Sequence, residues 1–228
     1  MRVTSWSCSL PDGRRSDELA VHFDEGRRFR LLVLPALFDE GNKLRRQTVE
    51  VMRRLLEREI DSILPDLPGT NESFAPQAEQ TFNDWKDAAR QAAAHFGATH
   101  VLAWRAGALI APDDMPGWRY APTSGAKQLR SMLRARTIVA REAGQDETIA
   151  GLQEMARREG IELAGWQLGA QMFAALEAAV PVESPIQTEI AQSEIGGAGL
   201  WLRAEPDEDR DQAIALATLI ADALERQS

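Results

Sequence analysis

Residues 99–110 carry the strongest fold signal in this chain and read Thr99-His100-Val101-Leu102-Ala103-Trp104-Arg105-Ala106-Gly107-Ala108-Leu109-Ile110. The stretch begins with a short apolar run that is typical of a buried strand. It continues through a turn that contains glycine and ends in small apolar residues that favour the start of a helix. The sequence therefore predicts a strand, a sharp turn and a helix in direct succession, with an arginine at the turn.

Upstream of this stretch, the apolar pattern alternates between strand and helix. The predicted elements are a hairpin of residues 19–23 and 29–34 across Asp24-Glu25-Gly26, a helix over 43–60, a strand over 60–64, and an amphipathic helix after Thr81 that Gly97 ends. A β-α-β-α-β order implies parallel strands joined by right-handed crossovers. We therefore expect an α/β fold with a mostly parallel central sheet and helices on both faces.

The second half of the chain is mostly helical. Residues 126–143, 148–158 and 168–180 predict helices, residues 186–190 predict a last strand, and residues 212–226 predict a last helix. We expect one structural domain, with an α/β core formed by residues 1–123 and 181–228. Residues 124–180 would form a helical lid or cap over the ligand-binding crevice expected at the carboxyl edge of the sheet.

The composition excludes several classes of function. The chain has 228 residues, of which 44% are hydrophobic and 27% charged, as in an ordinary globular protein. Its net charge of −9 argues against general binding to nucleic acid or acidic lipid. The one cysteine excludes an internal disulfide and cannot form a zinc site alone. No apolar stretch approaches the ~20 residues of a transmembrane helix, and no secretory signal is apparent, so we expect a cytoplasmic protein without membrane insertion.

Three segments carry a resemblance to a known family. They are residues 35–46 (P-A-L-F-D-E-G-N-K-L-R-R), 64–73 (L-P-D-L-P-G-T-N-E-S) and 104–109 (W-R-A-G-A-L). They resemble the exosortase A system-associated hydrolases of the α/β-hydrolase superfamily, and E-x-N-K-x-R-R is the most specific block. The similarity continues more weakly through residues 165–168 and 200–205. It implies an α/β-hydrolase fold and a genomic link to bacterial exopolysaccharide and protein-sorting systems.

The catalytic residues of that superfamily can be tested against the sequence. Its G-x-S-x-G motif places a nucleophilic serine at the turn, followed along the chain by an acid and then a histidine. Arg105 stands in the serine position, and a guanidinium is always protonated and cannot act as a nucleophile. The three histidines, His22, His95 and His100, all precede it. We therefore expect a degenerate active site without serine hydrolysis, and we expect no metal and no cofactor.

The sharp turn at Arg105, between the predicted strand and the predicted helix, is called the elbow below. The candidate binding residues lie where the elbow and the loop after residues 29–34 would meet at the carboxyl edge of the sheet. They are Arg105, Trp104, Glu40, Asn42, Lys43, Arg45, Arg46 and Asp66. The cations among them could hold a carboxylate or a phosphate. Alternatively, Arg105 pairs internally with Glu40, Asp66 or Glu72, and the basic helix is an ordinary solvated face.

The leading hypothesis is a catalytically degenerate α/β-hydrolase-fold protein. It would have an accessory role, or bind a small anion or saccharide, in an exosortase and exopolysaccharide system. One alternative is a hydrolase or transferase with a non-serine mechanism, using Arg105 as oxyanion stabiliser and Asp66 or Glu40 as base. The other is a structural module that binds a protein partner or forms a homodimer through the helical insert.

Overall fold

Seven strands form one central sheet in the computed structural model, which describes residues 1–226. The strands of the chain are β1 (Arg2–Ser9), β2 (Arg15–Phe23), β3 (Arg30–Leu34), β4 (Asp61–Pro65), β5 (His100–Trp104), β6 (Gly117–Tyr120), β7 (Ile161–Leu163), β8 (Trp166–Leu168) and β9 (Gln187–Ile190). The sheet has the order β1-β2-β4-β3-β5-β6-β9, while β7 and β8 form a separate hairpin. Strand β2 runs antiparallel to β1 and β4. The other neighbouring strands of the sheet, in the order β4-β3-β5-β6-β9, run parallel to one another.

Helices cover both faces of the sheet. They are α1 (Asp39–Glu57), α2 (Phe82–Phe96), α3 (Gly125–Glu142), α4 (Ile149–Glu159), α5 (Ala170–Ala178), α6 (Gln192–Ile195) and α7 (Arg210–Glu225). Helices α1 and α7 pack together over one face. Helices α2, α3, α4 and α5 contribute to the core on the other face. The prediction of a mostly parallel sheet between two helical layers is confirmed.

Local signals explain where these elements begin and end. The Thr81 side chain accepts from the Asp84 amide, and the Asp84 side chain accepts from the Thr81 amide, which caps the start of α2. Gly97 ends that helix in the left-handed conformation that a residue without a Cβ adopts easily. Strand β5 is buried along its whole length, as its apolar run predicts.

The predicted hairpin between residues 19–23 and 29–34 is wrong. Strand β2 pairs with β1 and β4, and β4 lies between β2 and β3. The hairpin that exists joins β1 to β2, through a turn in which Gly13 has a positive φ. The sequence pattern of two apolar runs around a short turn is the same whether the two strands pair with each other or whether a later strand lies between them. The pattern therefore could not exclude the insertion of β4.

Residues 124–180 contain more than the predicted helices. The third predicted helix, over residues 168–180, is the shorter α5, and the β7–β8 hairpin precedes it. Leu133 of α3 and Phe173 of α5 are fully buried in the same core cluster as Trp85 of α2. The division into an α/β core and a cap stays a prediction. Among the helices of residues 1–226, none is long and apolar enough to cross a membrane.

Candidate functional site

Strained backbone is concentrated at the carboxyl edge of the parallel strands. Phe38 (φ 58°), Asn71 (φ 47°), Arg105 (φ 53°) and Ala121 (φ 44°) follow β3, β4, β5 and β6, one after each strand. Non-glycine residues rarely adopt positive φ, and such strain is most often retained at functional sites. These four loops therefore mark the candidate site.

Arg105 forms the sharp turn directly after β5. The elbow approaches the loop after β3 so closely that a Cβ on Gly107 would lie 2.2 Å from the Pro35 carbonyl oxygen. Only glycine fits there. The helix expected after the elbow is a single 3₁₀ segment, Arg105–Leu109, so an extended helix dipole does not add to an anion site here.

Each nitrogen of the Arg105 guanidinium donates a hydrogen bond. Its Nε donates to Glu40 Oε2 at 3.0 Å, its Nη2 donates to Glu40 Oε1 at 3.3 Å, and its Nη1 donates to the Ala121 carbonyl oxygen at 2.7 Å. The guanidinium carbon lies 4.0 Å from the centre of the Trp201 ring. Arg105 is only 7% exposed. Of the three acids that the sequence offered as partners, the structure pairs Arg105 with Glu40.

Trp104 is the last residue of β5 and is only 1% exposed, so it does not line an open crevice. It belongs to the core cluster that α1 and α7 cover. Its ring packs edge-on against Tyr120, with 4.9 Å between the ring centres. Burial raises the pKa of the Tyr120 hydroxyl to about 12, so this group stays protonated at neutral pH. Trp104 is a packing residue in this structure.

A cleft lies beside the elbow, between α1 and the loop after β4. The space inside it that admits the centre of a water molecule is about 40 Å³, and the space counted out to the open mouth is about 510 Å³. The residues that line it are Pro35, Ala36, Leu37, Phe38, Gly41, Asn42, Arg45, Thr48, Leu64, Pro65, Leu67, Thr70, Asn71, Trp85 and Trp166. Phe38 packs on both tryptophans, with 5.5 Å between its ring centre and each of theirs. The cleft therefore has an aromatic wall and a polar rim.

An ion pair stands at the polar rim of this cleft. Arg45 Nη1 lies 3.4 Å from Asp66 Oδ1, and the Asn71 amide donates to the same oxygen. The Arg45 side chain is 40% exposed, whereas Asp66 is buried. Burial raises the pKa of the Asp66 carboxyl, although Arg45 and Asn71 act in the opposite direction. This carboxyl therefore holds a proton more readily than an ordinary aspartate.

Solved structures of similar shape identify the fold. Alpha/beta hydrolase domain-containing protein 10 from mouse is similar over 100% of both chains, with a TM-score of 0.60 and 12% identity. Est1E from Butyrivibrio proteoclasticus, solved with ferulic acid bound, has a TM-score of 0.58 and 12% identity over 96% of this chain and 98% of its own. The esterase domain from a Rhodothermus marinus protein has a TM-score of 0.55 and 11% identity over 99% of both chains.

The chain has the α/β-hydrolase fold. No family model matches the sequence, and no curated protein matches it. Identities this low establish the fold and leave the chemistry to be argued from the site itself.

Arg105 stands at the elbow, and the three histidines of the chain lie elsewhere in the described structure. His100 stands at the other end of β5, where its ring stacks on Trp118. His22 lies on β2 and His95 on the last turn of α2. After β9 the chain passes through α6 to the 3₁₀ segment Leu200–Leu202, so Trp201 covers the elbow from the part of the chain that normally supplies the histidine.

The remaining predicted site residues separate into two groups. Asn42 and Arg45 line the cleft, with Asp66 directly behind Arg45. Lys43 pairs with Asp39 at 3.6 Å, and Arg46 pairs with Glu208 at 2.6 Å, and neither lines the cleft. Sequence reasoning did not single out Phe38, Asn71 or Trp85. Phe38 and Asn71 belong to the two segments, residues 35–46 and 64–73, that carry the family resemblance. Nothing in the local sequence indicates that both side chains line one cleft. Within the described part of the chain, no group of three or more potential metal ligands is present.

Proposed function

We propose that this protein is a catalytically degenerate α/β-hydrolase-fold protein that works by binding, as a cytoplasmic accessory component of a bacterial exosortase and exopolysaccharide system. The observation that carries the proposal is the state of Arg105. It stands at the nucleophile position, and Glu40, Ala121 and Trp201 engage its guanidinium. A serine hydrolase needs a serine and an imidazole base at this point, and no residue that the structure describes supplies either there.

The link to an exosortase system rests on the resemblance in residues 35–46, which form the loop after β3 and the start of α1. The ligand would be a small anion or a saccharide, bound at the carboxyl edge of the sheet. Aromatic side chains in the cleft and the nearby Arg45 support this choice, because ligand sites combine apolar walls with a few polar groups.

Two assays test the proposal together. The purified protein should not turn over p-nitrophenyl esters, and a fluorophosphonate probe should not label any serine. Small phosphate or carboxylate anions, tested by thermal shift, should raise its melting temperature, because a ligand that binds only the folded state stabilises it. Stoichiometric labelling of a serine would overturn the proposal.

An enzyme with a non-serine mechanism is the second candidate, and Asp66 is the residue that favours it. A buried carboxyl with a raised pKa at the rim of a cleft suits a general base. Glu40 is a poorer candidate, because Arg105 engages both of its oxygens. Turnover of any ester or glycoside by the wild type that Asp66→Asn abolishes would establish this candidate in place of the first.

A further inference from the structure

Arg105 and Arg45 both stand at the carboxyl edge, and of these two Arg45 is available to a ligand. Arg105 makes three hydrogen bonds and stacks on a tryptophan. Arg45 has a single contact of 3.4 Å with Asp66, and no other described group bonds its guanidinium. A guanidinium has five N–H donors in a fork that matches carboxylate and phosphate. Arg45 therefore retains most of its capacity to bind an anion.

The groups around Arg45 favour an anionic head group. Asn42, one helical turn before it on α1, also lines the cleft, and no described group bonds its side-chain amide. Asn71, across the cleft, donates to Asp66. An anionic head group placed between these residues could accept hydrogen bonds from the Arg45 guanidinium and from the side-chain amides of Asn42 and Asn71.

The walls of the cleft favour an apolar body over a polyhydroxylated one. Phe38, Trp85 and Trp166 form the aromatic wall. The Thr48 hydroxyl is bonded to the Leu44 carbonyl oxygen, and the Thr70 hydroxyl is bonded to the Leu67 carbonyl oxygen. The hydroxyl groups of a sugar would find few partners against these walls, and a buried hydroxyl without a partner costs free energy.

We infer that the cleft binds a small amphipathic anion, whose carboxylate or phosphate head group replaces Asp66 on Arg45 and whose apolar body lies against Phe38 and Trp166. This inference rests on the proposed binding function and chooses the ligand class and the site within it.

The exchange has a consequence that a simple ion pair would lack. The charged groups that face Asp66 are Arg45 on α1, Glu72 in the same loop as Asp66, and Glu18 on β2. The Asn71 amide, in the same loop, donates a hydrogen bond to it. When the head group takes Arg45, the carboxyl loses the cation that favours its ionised form, while burial and the neighbouring acids continue to favour the protonated form. Ligand binding therefore takes up a proton at Asp66, and affinity rises as the pH falls.

Isothermal titration with defined probes tests the inference. The probes are phenylacetate, phenyl phosphate and phenylmethanesulfonate, which stays ionised across the pH range, with neutral phenylacetamide and glucuronate as controls. The phenyl anions should bind, and both controls should bind at least about tenfold more weakly. Titration in buffers of different ionisation enthalpy should report proton uptake for the sulfonate.

Variants identify the groups responsible. Arg45→Met should weaken binding about tenfold or more. Arg53→Met is the matched control, since Arg53 is an exposed arginine on the same helix with one acidic partner, Glu50, and it should bind as the wild type does. Asp66→Asn should bind more tightly than the wild type near neutral pH and without proton uptake. This gain keeps the test decisive if Arg45→Met does not fold.

The outcomes separate this inference from the proposed function. Binding that Arg105→Met abolishes and Arg45→Met leaves intact would overturn this site while a binding function stands. Binding that depends on Arg45 without proton uptake would overturn the exchange with Asp66. Preference for glucuronate over the phenyl anions would overturn the ligand class. Ester turnover by the wild type would overturn the proposed function and leave the Arg45 measurements unaffected.

Discussion

The Arg105 guanidinium and the Glu40 carboxylate form a two-point ion pair across the carboxyl edge of the sheet, with 3.0 Å from Nε to Oε2 and 3.3 Å from Nη2 to Oε1. The pair joins the elbow after β5 to the first turn of α1, where an acidic side chain also complements the helix dipole. The position that holds a nucleophile in hydrolases of this fold therefore serves here as a structural connection between two elements.

Breaking this pair should destabilise the protein. Arg105→Met keeps the side-chain bulk and leaves Glu40 as a buried charge without its partner, so we expect a loss of about 3–5 kcal/mol in the free energy of unfolding. Urea unfolding of Arg105→Met, Glu40→Leu and the double variant measures it. The double variant should lose less than the sum of the two single losses, because it leaves no unpaired charge. Small, additive losses would contradict the structural role of the pair.

Restoring a serine at the elbow should not restore hydrolysis. The Arg105→Ser hydroxyl would have no imidazole base within reach, since His100 lies five residues earlier on the same strand, about 16 Å away at ~3.3 Å per residue. We expect p-nitrophenyl ester turnover no faster than that of the wild type. A serine that reacts with fluorophosphonate only in this variant would reveal a base that the described structure does not place there.

Glu18 should make the protein less stable as the pH rises. This buried side chain accepts through Oε1 from Ser16 and Ser73, whereas Oε2 has no hydrogen-bond partner among the described residues. Burial raises the pKa of the Glu18 carboxyl above its ordinary value. The folded state therefore holds this proton where the unfolded state has released it. The resulting stabilisation is complete below the unfolded pKa of about 4.3 and is lost as the pH rises through the folded pKa.

The variant Glu18→Gln isolates this effect. Its stability relative to the wild type should become more favourable between pH 4.5 and pH 8, as measured by urea unfolding at each pH. Asp17→Asn, which also removes one carboxylate at the exposed neighbouring position on β2, is the control. A difference between Glu18→Gln and the wild type that does not change with pH would contradict a raised pKa.

The β7–β8 turn offers a stabilising substitution. Ala164 (φ 51°) and Gly165 (φ 81°) are its two central residues, and both have the positive φ that tight hairpin turns require. Asparagine tolerates this conformation better than alanine, so Ala164→Asn should raise the free energy of unfolding by about 0.5–1 kcal/mol. Gly165→Ala should lower it by about 1 kcal/mol. Thermal unfolding of both variants checks the opposite signs.

The sequence alone determined the elements whose signals are local. The β5 strand follows from an unbroken apolar run, and α2 follows from its apolar spacing, the Thr81 cap and the terminal Gly97. These signals act over a few residues, because a strand or a helical turn is itself a short-range arrangement. The arginine at the elbow and the absence of a later histidine are also facts of the sequence, and the prediction of a degenerate site rests on them.

The contacts between residues that are distant in sequence follow from the packing of the whole chain. This packing inserted β4 between β2 and β3, chose Glu40 rather than Asp66 as the partner of Arg105, and placed Trp201 over the guanidinium. Asp66 pairs with Arg45 instead, and the residues that line the cleft come from four separate parts of the chain. Local periodicity carries no record of these pairings, because the partner of a buried charge is set by the packing of whole strands and helices around it.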